Sequence, residues 1–288
     1  MRSGRADRTR AASHAERRAS RDGYFAPESV IRRLGDTPVT PFLGGGAAVL
    51  LQIAHPLVAA GVADHSAYGD DLWRRLVRTL RALYLITYGS RAEADRAAEA
   101  VRHAHARVNG TLRAPLGVFP AGTGYSANDP ELMLWVHATL VQVSLEVYQR
   151  FERPLSQDDQ EAYYREMAVV ARLFGTPAEV IPPSLGDFRA YFAAQIAGDR
   201  IAVTEPAREI ARVILRTPLP GPMRLLAPAN RLATAAHLPP RLRAEYGLRL
   251  RPLHRPLLTA AGLSVKHGSR PILQIAGRAR MVRATTLA

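Results

Sequence analysis

With 288 residues, 47% hydrophobic content and no cysteine, the chain can bury a sizeable core, while disulfides, thiolate metal sites and a cysteine nucleophile are excluded. A formal charge of +14 ordinarily points to nucleic acid or an acidic surface, yet the arginines are spread along the whole sequence and lysine occurs once, at Lys266. No basic patch is interleaved with aromatics, so nucleic acid is not expected as a partner, and histidine and carboxylate are the ligand types that remain.

Residues 1–21 are Arg, Ala and Ser without an apolar run and are expected to form a disordered basic arm. No apolar segment follows Arg17 and Arg18, so a twin-arginine export signal is not expected and the protein is placed in the cytoplasm. Residues 22–288 read as one domain. Pro27-Glu28-Ser29 introduces a short helix through Leu34. Gly44 to Ala63 is the most apolar stretch and has the length of a membrane span. Gln52, His55 and Pro56 interrupt it, and Pro56 disfavours helical geometry at His55, so two buried helices meeting at a kink are expected and a span is not. Gly44-Gly45-Gly46 lacks the spacing of a phosphate-binding loop and follows no strand. A close helix approach is the better account.

After Asp64-His65-Ser66, the run from Trp73 to Tyr88 predicts an amphipathic helix with Leu72, Leu76, Leu80 and Leu83 on one face. Arg75 and Thr79 are four apart and share a face, with Arg78 beside them. The next helix enters at Arg91 and is expected to stop near Gly110, carrying Val-Arg-His-Ala-His-Ala-Arg-Val-Asn-Gly from Val101. His103 and His105 leave it on nearly opposite faces and cannot chelate one ion together. Arg102, His105 and Asn109 share a face, so His105 is the imidazole with polar neighbours suited to an anionic, metal-bearing group. The plainer reading of His105 is a core histidine satisfied by a carbonyl.

A Gly- and Pro-containing loop from Arg113 to Ala127 leads to Asn128-Asp129-Pro130-Glu131, a strong helix start. That helix runs to about Phe151 and puts His137 in an apolar setting. Ser156 begins a helix that ends near Gly175, and Ser184 to Ala197 and Glu205 to Leu215 are further helices. Pro218 to Pro222 marks a break, and shorter helices follow from Met223 to Leu263. No alternating strand run and no repeat emerges, so the fold class is all-α, a single helical domain.

Taken in order, Leu51-Gln52-Ile53-Ala54-His55-Pro56, Gly61 to Ser66, Arg75-Leu76-Val77-Arg78-Thr79, Arg102 to Gly110, Tyr125-Ser126-Ala127-Asn128-Asp129-Pro130 and Leu134 to Leu140 resemble the catalytic domain shared by latex clearing protein, the rubber oxygenase, and the mycophenolic-acid-pathway oxygenase MpaB. The resemblance covers roughly Tyr24 to Leu250. It implies an all-helical fold binding one haem b, with the histidine of the Arg-x-x-His pattern, Arg102 and His105 here, as the proximal iron ligand. The Arg-x-x-x-Thr pair falls on Arg75 and Thr79. Where the rubber oxygenase has a lysine before that threonine, this chain has Arg78, which stays protonated and cannot be a neutral iron ligand. Around Ala59 and Ala60 the chain offers no counterpart to the rubber enzyme's glutamate base, which argues against polyisoprene as substrate.

The function the resemblance implies is a haem-dependent oxygenase using dioxygen on a small, fairly apolar molecule. His105 then tunes the iron, with Arg102, Arg75 and Thr79 also at the cofactor and His55, His65, His137 and Arg78 as candidates for hydrogen bonding or proton transfer. The alternative is a non-catalytic helical protein that binds haem or a hydrophobic ligand. A third arrangement, a non-haem site from His55, His65 and Asp64, has ligands of the right type but no supporting spacing. The sequence does not specify an oligomeric state.

Overall fold

A computed structural model describes residues 22–37, 39–65, 70–216, 227–251 and 254–268, with backbone alone for 70–76, 255, 261, 264 and 266–268. The predicted arm, the break at Pro218 to Pro222, and the side chains of Leu72, Arg75 and Leu76 lie outside what is described. Among the described residues the chain forms α1 (Val30–Gly35), α2 (Val39–Ile53), α3 (Pro56–His65), α4 (Asp70–Tyr88) and α5 (Arg91–His105). After a two-stranded antiparallel sheet, β1 (Asn109–Thr111) and β2 (Gly124–Ser126), come α6 (Pro130–Phe151), α7 (Gln157–Phe174), α8 (Leu185–Ala197) and α9 (Glu205–Arg216). The described chain ends with α10 (Ala227–Ala236), α11 (Pro240–Glu245) and α12 (His254–Gly268).

The core is built around α2 and α6. Their approach is close because the glycines allow it: a Cβ on Gly44 would stand 2.9 Å from Val143 Cγ1 of α6, and one on Gly46 would stand 2.2 Å from Thr234 Oγ1 of α10. The glycine run is thus a helix-packing surface, as its spacing predicts. Where α2 ends, its last carbonyls accept from side chains as well as from the backbone. Trp135 Nε1 donates to Leu51 O at 3.2 Å and lies near Gln52 O at 3.3 Å, and Tyr246 Oη donates to Leu50 O at 2.7 Å. The chain then turns by 103° into α3, the expected kink at His55-Pro56. Among the described residues no single helix is long and apolar enough to cross a membrane; α2 and α3 together are, but only as this bent pair.

Helix starts follow the capping chemistry of the sequence. Ser90 and Glu93 form a reciprocal capping box on α5. Asp129 accepts from Glu131 N and Leu132 N at the start of α6, and Ser156 Oγ accepts from Asp159 N at that of α7. Gly175 closes α7 at φ 101°, a left-handed conformation that favours glycine. Helix α1 is fastened from outside itself, because Glu166 of α7 accepts from Val30 N and Ile31 N while Arg32 Nε donates to Thr87 O at the end of α4.

Two expectations are corrected. Helix α5 stops at His105 and does not reach Gly110, because Asn109–Thr111 pairs in register with Gly124–Ser126 and withdraws the backbone from the helix. His105 and Asn109 therefore do not share a helical face, and the all-helical domain carries this one small sheet among its described residues.

Candidate functional site

The end of α5 decides which of its histidines faces the protein. Ala94 and Ala98 are fully buried, and eleven residues after Ala94 the helix has turned to within about 20° of the same direction, which puts His105 on that inward stripe. His105 is half-buried, and its Nδ1 is shielded from solvent. His103, half a turn away, is exposed, and its Nε2 accepts from Arg107 Nη2 at 2.6 Å. The choice of His105 over His103 as the inward imidazole is thus a matter of helical phase.

Arg102 is committed locally. Its Nη1 donates to Leu173 O in the last turn of α7, and a Cβ on Gly175 would stand 3.3 Å from Arg102 Cδ and 3.6 Å from Met133 Cε. Arg102 thereby ties the ends of α5 and α7 to α6 and satisfies a carbonyl that α7 leaves open. Because His137 follows Met133 by one turn on α6, it lies on the same side of that helix. His137 is buried, its Nε2 has no hydrogen-bond partner, and burial lowers its pKa to about 4, so it is neutral at pH 7.

Opposite α5, the second half of α4 packs through Ala82 and Ile86, but Val77, Arg78, Thr79 and Leu80 are all exposed. Four consecutive exposed positions cover a whole turn, so no face of the helix is fully covered there. Leu80, expected on the buried apolar face, is 37% exposed, and Val77 is 45% exposed.

His55 and His65 occupy opposite ends of α3, roughly 15 Å apart along its axis. His55 is buried and acts as an N-terminal cap: Leu57 N donates to its Nδ1 at 3.2 Å, which leaves the ring proton on Nε2. Burial, and secondarily Arg200, lowers its pKa to about 4, and its ring centroid is 5.4 Å from that of Phe119. His65 is exposed, and its Nε2 donates to Asn109 O at 2.9 Å. Asp64 accepts from Tyr125 Oη, and burial followed by this bond pushes the Tyr125 pKa up to about 12. His55, His65 and Asp64 consequently do not assemble a non-haem site, and among the described residues no three His, Asp or Glu side chains are grouped to hold a metal ion.

This donor chemistry suits a group that brings most of its own ligands. A haem iron needs one protein imidazole, and His105, half-buried on the inward stripe of α5, is of the type that could supply it. A further buried histidine, His237, lies at the end of α10 and carries no motif in the sequence. Its only local signal is an isolated polar ring after the small residues Ala233 to Ala236.

Residues 31–266 match the family described as ER-bound oxygenase mpaB/B'/Rubber oxygenase, catalytic domain. The chain is also similar to an uncharacterized protein of Mycobacterium bovis and to one of Mycobacterium tuberculosis. Each is 29% identical over 206 residues, which span 69% of this chain and 77% of the relative. No solved structure matches the chain.

Proposed function

This chain belongs to the mpaB/rubber oxygenase catalytic-domain family, an oxygenase family, and from that premise we propose that it is a haem b-dependent oxygenase acting with dioxygen on a small apolar substrate. The observation that carries the reading is the phase of α5, which turns His105 and not His103 onto the stripe shared by buried Ala94 and Ala98. Haem held by a single histidine supplies dioxygen binding and redox chemistry when it is present.

The chain's own residues have separable tasks in this proposal. His105 holds the iron. Arg102 positions the end of α5 through Leu173 O, so that the imidazole is set by a neighbouring helix as well as its own. Arg75, Arg78 and Thr79 are the polar residues of α4 assigned to the cofactor and the reaction, and two cations suit the carboxylates of a haem. His137, neutral and shielded on the Met133 side of α6, is the candidate to exchange a hydrogen bond with a bound molecule; His55 and His65 are secondary, being engaged with Leu57 N and Asn109 O. Ala59 and Ala60 are buried, so α3 presents no carboxylate base there, which favours a substrate other than polyisoprene.

An absorption spectrum of the haem-reconstituted protein tests this. A Soret band is expected in the wild type and in His103→Ala, and its near-complete loss in His105→Ala. Equal retention in both variants, or no band in the wild type, sinks the assignment of His105.

A further inference from the structure

On the face of α6 opposite His137, Trp135, Gln142 and Glu146 share one stripe, since seven and four residues bring the helix back to nearly the same direction. There a cavity of about 170 Å³ is lined by Gln142 and Glu146 together with Leu51, Phe192, His237 and Leu238. A dry apolar cavity of about 150 Å³ accommodates benzene, so this one has room for a ligand of several carbon atoms.

Its polar groups are biased toward accepting hydrogen bonds. Gln142 Nε2 donates to Glu146 Oε1 at 2.5 Å, which leaves the amide oxygen and the second carboxylate oxygen as acceptors. His237 Nδ1 lies 2.8 Å from Ala233 O, and a carbonyl can only accept, so the ring proton is on Nδ1 and Nε2 is a bare lone pair. That Nε2 is buried without a hydrogen-bond partner. Glu146 is at the exposed rim, yet desolvation by the surrounding protein raises its pKa, opposed first by the Gln142 hydrogen bond and then by Arg150. The free carboxylate oxygen of Glu146 and the amide oxygen of Gln142, beside Leu51, Phe192 and Leu238, suit a donor-rich cation with a short apolar tail.

We infer that this cavity is a second binding site, on the face of α6 opposite His137, for a small primary alkylammonium ion. The ammonium meets Glu146 and Gln142, and the alkyl chain lies against Leu51, Phe192 and Leu238. Haem at His105 is not required for it.

The test is a titration of the full-length protein with n-butylammonium and with the neutral 1-butanol at pH 7, followed by the NMR resonances of the His237 ring. Butylammonium is expected to bind saturably and about tenfold more tightly than butanol, a ratio set by one charge-assisted hydrogen bond. Glu146→Gln should remove that preference while His105→Ala keeps it, and Ala236→Leu, which fills the cavity, should exclude both probes. Equal affinity for the two probes, no saturable shift at His237, or full butylammonium affinity in Glu146→Gln overturns the site. Should Glu146→Gln fail to fold, the two-probe comparison on the wild-type protein still decides.

Discussion

The α2–α6 pair and the α4–α5 hairpin are both helix pairs, but they are put together for different ends. In the first, backbones approach closely over Gly44, with Gly46 admitting α10 alongside, and the carbonyls at the end of α2 also accept from Trp135 and Tyr246. In the second, a whole turn of α4 from Val77 to Leu80 is partly exposed while His105 turns inward at the end of α5. Interiors packed to crystal-like density do not rearrange for a ligand without cost, so the tightly packed pair holds the fold while the looser one is the better placed to receive the cofactor proposed above.

That contrast is broken most severely by adding volume between the packed helices. Gly46→Leu places atoms where even a Cβ would meet Thr234 Oγ1 at 2.2 Å, and Thr234 is fully buried with its hydroxyl donated to Asn230 O. A loss of about 3 kcal/mol is expected from urea unfolding. A change under 0.5 kcal/mol would show that α2 and α10 are not pressed together as described.

A smaller effect should come from acid. The folded state lowers the pKa of His137 to about 4 against an ordinary value of 6.5, so its neutral form is favoured on folding. Its contribution is therefore complete above about pH 6.5, declines as pH falls, and is gone below about pH 4. His55 and His237, lowered to about 4 in the same way, act in the same direction. Between pH 7 and pH 5 the unfolding free energy attributable to His137 should fall by about 2 kcal/mol, and His137→Gln should flatten the pH dependence by that amount. Parallel wild-type and variant curves would mean that the ring is not held neutral by burial.

The smallest effect is expected on the hairpin. Val77→Ser changes a side chain that is 45% exposed and should move stability by no more than about 0.5 kcal/mol. A loss as large as that of Gly46→Leu would erase the distinction between the two pairs.

Much of this architecture is written locally. The N-terminal capping signals at Asp129, Ser156 and Ser184, the bend at His55-Pro56, the glycines of α2 and the opposition of His103 to His105 follow from short-range sterics, capping and helical phase, which a sequence carries within a few residues. The family is legible too, through several short motifs in a definite order. What the tertiary structure alone decided are the long-range partners. Arg102 turns to a carbonyl 71 residues away, and Asn109 leaves the helical course to pair with Ser126. His237, unremarkable in an alanine-rich helix, comes to lie beside Gln142 and Glu146 at one cavity. These outcomes depend on which buried carbonyls and apolar faces are left unsatisfied once the helices have packed, and that demand exists only in three dimensions.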